Sequence, residues 1–135
     1  MPPINQINQR EIKQTKCDTN GRLAGPADPK HAYIIITKNN YNERANEILG
    51  IPLTSQADSY FVLNYGLDLA QDEIEGGGFT LSRKTFIMCD RPCRISKNHL
   101  VDAHFDGSKI IKTKFLDMLT KIRNFMELGI IRVES

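Results

Sequence analysis

The stretch TFIMCDRPCRI, residues 85–95, decides the prediction of the fold. Its first half is an apolar run, Phe86 to Met88, which is typical of a buried β-strand. Its second half places a carboxylate, Asp90, next to Arg91 and a proline. A buried strand that ends in charged side chains can bring them to a surface site, although many ordinary strands end in the same way.

The composition limits the class of protein. The chain has 135 residues, of which 40% are hydrophobic and 25% charged, and this predicts one domain with its own core. A formal net charge of +2 permits a polyanionic partner but does not require one. The three cysteines favour a reducing compartment over a disulfide scaffold. Without a secretory signal or an apolar run near 18 residues, we expect a cytoplasmic protein with no membrane segment.

Further strands are predicted on both sides of the opening stretch. Residues 31–37 (HAYIIIT) form a β-branched and aromatic run, and residues 48–53 form a second apolar run with Gly50 and Pro52 inside it. We also predict strands at residues 11–17 and 58–63, a loop over 64–78, and a hairpin around Asp106-Gly107.

One amphipathic helix is predicted near the C-terminus, over residues 114–127. Its apolar side chains follow helical spacing: Phe115, Met118, Leu119, Ile122, Phe125 and Met126. Thr113 is the predicted N-cap and Gly129 the predicted stop, with a short strand at 130–133.

These elements predict a mainly β (α+β) fold. We expect residues 1–10 to be a flexible lead-in and residues 11–135 to form a single domain. The short strands, interrupted by Gly and Pro, favour a small barrel of antiparallel strands closed by the C-terminal amphipathic helix.

Several kinds of site are disfavoured by the motifs. The Gly76-Gly77-Gly78 run lacks the lysine and hydroxyl residue of a phosphate loop, and no G-x-S-x-G element occurs. Cys89, Cys93 and the histidines do not have the spacing of a structural zinc site. We therefore expect neither a metal nor a cofactor.

Polar residues do recur where the predicted strands begin or end. His31 begins one strand, Thr54 and Ser55 follow another, and Asp90 and Arg91 follow a third. On one rim of a small barrel, an acid or base, a cation and a hydroxyl would suffice to cleave RNA without a metal. The same residues would also serve as ordinary caps and turns.

Basic and aromatic residues provide a second hint of RNA binding. The basic residues between 83 and 97 are Arg83, Lys84, Arg91, Arg94 and Lys97, and the aromatic residues that could stack on bases are Tyr33, Tyr41, Tyr60 and Phe79. A solvated face over core aromatics would give the same pattern.

Four motifs occur in a characteristic order. They are Glu11-Ile12, the 31–37 strand with Asn40-Tyr41-Asn42, Pro52-Leu53-Thr54-Ser55-Gln56, and Cys89-Asp90-Arg91-Pro92. In this order, and with the amphipathic helix behind them, the chain resembles the MazF/PemK/Kid family of toxin endoribonucleases.

The resemblance implies an SH3-like barrel that forms a cytoplasmic homodimer, binds a cognate antitoxin and cleaves single-stranded RNA without a metal. It assigns Thr54 as the active-site threonine, Asp90 as the acid, and Glu11 as an N-terminal acid near the site. His31 stands where some family members have a catalytic arginine, and Met88 where Kid-like members have one.

The cation is therefore expected from His31, Lys84 or Arg91. The expected RNA-binding residues are Arg83, Lys84, Arg91, Arg94, Ser55 and Tyr41. If no cation reaches the site, the alternative is a weakened toxin-like module that binds RNA or a protein partner without cleaving RNA.

Overall fold

The computed structural model of the protein describes residues 6–25, 30–101 and 107–134, and their side chains as far as Met126. Its elements in chain order are β1 (Ile12–Gln14), β2 (Ala32–Ile35), α1 (Asn39–Arg44), β3 (Glu47–Thr54), α2 (Tyr60–Tyr65), β4 (Gly66–Leu69), a 3₁₀ turn (Gln71–Glu73), β5 (Ile74–Glu75), β6 (Thr85–Met88), β7 (Cys93–Ser96), a second 3₁₀ turn (Lys97–His99), β8 (Lys109–Ile110) and α3 (Lys112–Glu134).

The long strand β3 is the centre of a six-stranded antiparallel sheet. The order is β1-β2-β3-β6-β4, and β7 pairs with β3 on the same edge as β6. The first half of β3 pairs with β7, as in Ile48 opposite Ile95, and its last two residues pair with β6. The segment 89–92 is the bend between β6 and β7, and Pro92 is tolerated there because a bend needs no ladder hydrogen bond.

The two faces of the sheet carry different clusters, because side chains alternate along each strand. On one face, buried side chains such as Ile51 and Ile87 pack against Phe115 and Met118 of α3. On the other face, Tyr33, Ile35, Ile48 and Ile95 form a second cluster. Thus α3 covers one face, and part of the other face remains for polar side chains.

The predicted class, mainly antiparallel β with a C-terminal helix, is confirmed. Among the described residues no ladder joins the outer strands β1 and β4, so the sheet is open and a closed SH3-like barrel is not confirmed. β5 and β8 form a separate two-stranded sheet. Nor do the described helices include one that is long and apolar enough to cross a membrane.

The predicted strand at residues 58–63 is wrong, because residues 60–65 form helix α2. Its apolar run buries one side chain, Val62, while Leu63 is 73% exposed. The predicted loop over 64–78 is also wrong in part, since it contains β4 and β5.

Helix α3 is longer than predicted at both ends. It begins at Lys112 and passes through Gly129 and residues 130–133, so neither the stop nor the last strand is correct. One glycine costs a helix about 1 kcal/mol, which an established helix tolerates. In the predicted hairpin, Asp106 lies outside the described residues, and β8 pairs with β5.

The described part of the lead-in, residues 6–10, packs on the sheet. Ile7 is 2% exposed and joins the cluster around Tyr33 and Ile35. Gln9 Nε2 donates to the Ile36 carbonyl at 2.7 Å, and Arg10 donates to the Ile110 carbonyl at 3.0 Å. These five residues are therefore held in place, while the domain boundary at residue 10 stays a prediction.

Replacing Ile87 by Ala should lower the free energy of unfolding by about 3 kcal/mol, because it leaves a cavity between the sheet and α3. The matched control is Leu63→Ala on the exposed side of α2, which should change it by less than about 0.5 kcal/mol. Urea denaturation measures both. An equal loss in the two variants would contradict the assignment of the core to this face.

Candidate functional site

The strand register places four side chains side by side on the sheet face opposite α3. Tyr33 pairs with Pro52 at the last pair of β2 with β3, and continuing this register by two residues brings His31 to the level of Thr54, with which it lines one cleft. Thr54 pairs with Phe86, and Phe86 pairs with Asp68. Directly opposite residues in antiparallel strands share a face, with Cβ atoms about 5 Å apart. We call His31, Thr54, Phe86 and Asp68 the cross-strand row.

The His31 end of this row opens into a cleft of about 240 Å³. Besides His31 and Thr54, the cleft is lined by Leu53, Ser55, Gln56, Phe79, Thr80, Leu81, Ser82 and Thr85. Three of the predicted site residues, His31, Thr54 and Ser55, are thus brought together. Within the described part of the chain, the lining contains many hydroxyls but no lysine or arginine.

The hydroxyl of Thr54 is oriented by its own backbone. The Gln56 N–H donates a hydrogen bond of 3.2 Å to Thr54 Oγ1. Because one lone pair of this oxygen is occupied, its proton can be donated to an acceptor in the cleft.

His31 is a half-buried histidine immediately before β2. Its backbone N–H donates to the Cys17 carbonyl at 3.1 Å, and its carbonyl accepts a bond of 2.9 Å from Thr15 Oγ1. Burial lowers the pKa of the imidazole below its usual value of 6.5, and the charge of Asp18 opposes this effect. The imidazole is therefore neutral near pH 7 and able to accept a proton.

Lys84 provides the cation nearest to the row by register. Its Nζ lies 5.6 Å from the centroid of the Phe86 ring and 4.0 Å from Asp68 Oδ2. Phe86 is the cross-strand neighbour of Thr54, so this ammonium group stands on the same face as the hydroxyl. The pair is exposed to solvent, where an ion pair is weak and the lysine is free to move.

Asp90 and Arg91 do not line the cleft. Asp90 lies in the turn between β6, which pairs with Leu53 and Thr54, and β7, which pairs with β3 only as far as Gly50, so the chain has turned towards the middle of β3 at this point. Asp90 Oδ2 lies 3.8 Å from Arg91 Nε, and the Arg91 guanidinium lies 5.4 Å from the Phe61 ring. The expectation that one rim holds both Asp90 and Thr54 is therefore wrong.

Glu11 and Tyr41 are also remote from the cleft. The Glu11 carbonyl accepts from Ile35 N–H, at the opposite end of β2 from His31. Its buried carboxylate accepts a bond of 2.5 Å from the Asn8 N–H. Tyr41 is exposed on α1, which precedes β3 and so lies at the far end of that strand.

The two remaining basic residues differ in position. Arg94 pairs with Leu49 and therefore belongs to the face opposite Thr54, where it lies 3.7 Å from Glu47. Arg83 is exposed and lies between Ser82 and Thr85 of the cleft lining. Arg83 is thus at the cleft, and Arg94 is not.

Sequence reasoning missed Asp68, the partner of Lys84, because residues 64–78 were predicted to be a loop. The signal was present in the alternation Leu67, Asp68, Leu69, which has the period of a half-buried strand. In the described residues, no three His, Cys, Asp or Glu side chains are grouped as metal ligands would be.

The comparisons address the fold. No protein-family model matches the chain, and no curated protein matches it. The crystal structure of MazF (Form-I) from Deinococcus radiodurans is 9% identical, with a TM-score of 0.60 over 90% of this chain and 96% of that one. An endoribonuclease from Mycobacterial species, solved in complex with its cognate antitoxin, is 10% identical, with a TM-score of 0.55 over 93% of this chain and 94% of the other.

The chain has the MazF fold. The resemblance inferred from four short motifs is confirmed at the level of architecture. Met88 of β6 is 6% exposed. It lies two residues from Phe86 and therefore shares a face with Phe86 and with Thr54, the cross-strand partner of Phe86. The position expected to carry a Kid-like arginine therefore faces the same side as the cross-strand row, but its side chain is apolar.

The His31 imidazole should titrate with a midpoint below 6.5, because burial disfavours its charged form. Asp18→Asn should lower this midpoint further, because it removes the charge that favours the imidazolium. The measurement is an NMR titration of the His31 ring protons between pH 4 and 8. A wild-type midpoint above 6.5, or an upward shift in the variant, would contradict this account of the site.

Proposed function

We propose that the protein is a toxin-type endoribonuclease that cleaves single-stranded RNA without a metal. The observation that carries the proposal is the placement of a neutral histidine, His31, opposite the oriented hydroxyl of Thr54 in one cleft. The MazF fold supports the same class of activity, because both structural neighbours are named as endoribonucleases or MazF.

In the proposed reaction, the imidazole of His31 removes the proton of a ribose 2′-OH. The 2′-oxygen attacks the adjacent phosphorus, and the bond from phosphorus to the 5′-oxygen breaks. The products are a 2′,3′-cyclic phosphate and a 5′-hydroxyl. Thr54 donates a hydrogen bond to a non-bridging oxygen and keeps its proton, and Lys84 stabilises the added negative charge and protonates the leaving 5′-oxygen.

Asp90 and Glu11 have no direct part in this proposed reaction, because neither lines the cleft and neither contacts the cross-strand row as Lys84 does. In this reaction the cation is Lys84 and not Arg91. Ser55, Arg83 and Lys84 are the expected RNA-binding residues that stay near the cleft, whereas Tyr41 and Arg94 do not.

We also propose a cytoplasmic homodimer with a cognate antitoxin as its partner. The mycobacterial neighbour was solved with its antitoxin, and Leu116, Phe125 and Met126 leave apolar surface exposed on α3. Light scattering should give a mass near twice the 15.3 kDa of the chain. A mass of one chain at micromolar concentration would exclude the homodimer.

The binding-only alternative is favoured by one observation. No lysine or arginine lines the cleft among the described residues, and Lys84 contacts Asp68 outside the lining. In that case the protein would bind RNA, with an affinity that falls as salt rises, and would release no product.

His31→Ala and Thr54→Ala should each lower cleavage of a labelled mixed-sequence RNA, His31→Ala by about 10²–10⁴-fold because it removes the base. Lys84→Met should lower the rate by about 10–100-fold, since a mobile lysine holds the phosphate less firmly than a fixed donor would. The assay measures initial rates with EDTA present and identifies the cyclic phosphate end.

Arg94→Ala is the matched control, because it removes a cation from the opposite face and should leave the rate within about twofold. Full activity of His31→Ala would contradict the proposed base, and inhibition of the wild type by EDTA would contradict a metal-independent reaction. RNA binding by the wild type without product would select the alternative.

A further inference from the structure

Asp68 is a carboxylate on the cross-strand row that the proposed reaction does not use. It lies on β4, the last strand in the order of the six-stranded sheet. Its neighbours Leu67 and Leu69 pack with the core under α3, and because side chains alternate along a strand, Asp68 points to the opposite face. Charged residues on an edge strand prevent its pairing with another chain, and this role alone would account for an exposed aspartate.

The position of Lys84 indicates a further role. Its ammonium group lies 4.0 Å from Asp68 Oδ2 and 5.6 Å from the centroid of the Phe86 ring. Phe86 is the cross-strand neighbour of Asp68 on one side and of Thr54 on the other. Among the side chains that the structure describes, no other carboxylate is paired with Lys84. Asp68 therefore holds the cation over the row, one strand away from the Thr54 hydroxyl.

A phosphate group of RNA would compete with Asp68 for this ammonium group. A lysine carries a point charge on a flexible stem, so it can turn from one anion to another without a change in the backbone. The Lys84 and Asp68 side chains are 71% and 68% exposed, and an ion pair so exposed is weak enough to be replaced. The carboxylate left behind would repel the phosphate, although water and salt screen this repulsion.

We propose that Asp68 is an internal counter-ion of Lys84 that an RNA phosphate must replace, so that this carboxylate weakens the binding of RNA to the site. The inference rests on the proposed function, because it takes single-stranded RNA as the ligand and Lys84 as the cation that meets its phosphate. In the free protein the ammonium group is paired with Asp68. In the complex it is paired with the phosphate, and Asp68 faces solvent.

Asp68→Asn tests this exchange, because it keeps the shape of the side chain and removes its charge. Binding is measured with a 2′-fluoro oligoribonucleotide, which lacks the 2′-hydroxyl and is not cleaved by the proposed reaction. At low salt the variant should bind about 3–5-fold more tightly than the wild type, since neither the ion pair nor the repulsion opposes the phosphate. Its salt dependence should be steeper by at most about 0.7 in the logarithmic slope, because no freed carboxylate takes up a cation.

The same substitution in a Lys84→Met background tests whether Asp68 acts through Lys84. There it should change the affinity by less than about twofold, because only the screened repulsion remains. In cleavage of labelled RNA, Asp68→Asn alone should lower KM and leave kcat within about twofold, since the ion pair is already broken in the complex. A large loss of kcat would show that the carboxylate is needed in the complex, and would overturn the exchange.

Glu47→Gln is the matched control. Glu47 also forms an exposed ion pair, in which its Oε1 lies 3.7 Å from Arg94 Nη1, but this pair belongs to the face opposite Thr54. The variant removes one carboxylate and frees one cation, as Asp68→Asn does, and its affinity for RNA should stay within about twofold of the wild type. An equal gain in the two variants would reflect net charge alone and would overturn the role assigned to Asp68.

The outcomes separate the two proposals. A wild type that cleaves RNA, with unchanged or weaker binding in Asp68→Asn, would overturn the counter-ion role and leave the proposed function intact. A wild type that binds RNA without product, and binds more tightly as Asp68→Asn, would overturn the cleavage reaction and support the exchange. If neither the wild type nor Asp68→Asn bound or cleaved RNA, both proposals would be overturned.

Discussion

The antiparallel pairing of β3 with strands on both of its edges is the constraint on which the rest of the structure depends. β2 fixes one edge, and the continuous pair β6 and β7 fixes the other. Because the side-chain period of a strand is two, this register decides at once which residues pack under α3 and which belong to the other face of the sheet. A shift of one residue in β2 would exchange His31 with an apolar neighbour and bury it. The same strand pairing therefore determines both the core under α3 and the face of the sheet on which Thr54 lies.

The bend at residues 89–92 directs the charged residues that follow β6 away from the cleft. It lets one stretch of chain pair with nearly the whole length of β3, and it moves Asp90 and Arg91 to the middle of that strand. Arg91 there contacts Asn20 and Phe61, and Asp90 is its nearest carboxylate. These contacts link the bend to α2 and to the loop that follows β1. Charged residues that seemed to mark a catalytic strand end thus join two parts of the fold.

The strongest local patterns in the sequence predicted the structure correctly, and long-range pairing explains most of the rest. The runs at 31–37, 48–53 and 85–88 became β2, β3 and β6, because β-branched residues between loop signals rarely form anything else. The run at 58–63 has one β-branched residue, Val62, and it became part of a helix in which Val62 is the buried side chain. His31 and Thr54 were both predicted, but their meeting depends on register. Asp90 was placed wrongly because the direction of β6 relative to β3 cannot be obtained from spacing.

In the proposed reaction, the identity of the cation determines how the phosphate would be held. An arginine offers a planar fork that holds a phosphate by two bonds, whereas a lysine is a mobile point charge on a flexible stem. At the apolar Met88 position no fork is available, and Lys84 reaches the row from solvent with Asp68 as its counter-ion. Less of the phosphate orientation can then come from the cation, so more of it must come from groups that are already fixed. The oriented hydroxyl of Thr54 is one such group, and the loop at residues 79–82, whose backbone is bound by Gln71 and Ser108, is another. If a lysine supplies the charge in the proposed reaction, a cleft wall of fixed shape would therefore share in positioning the phosphate.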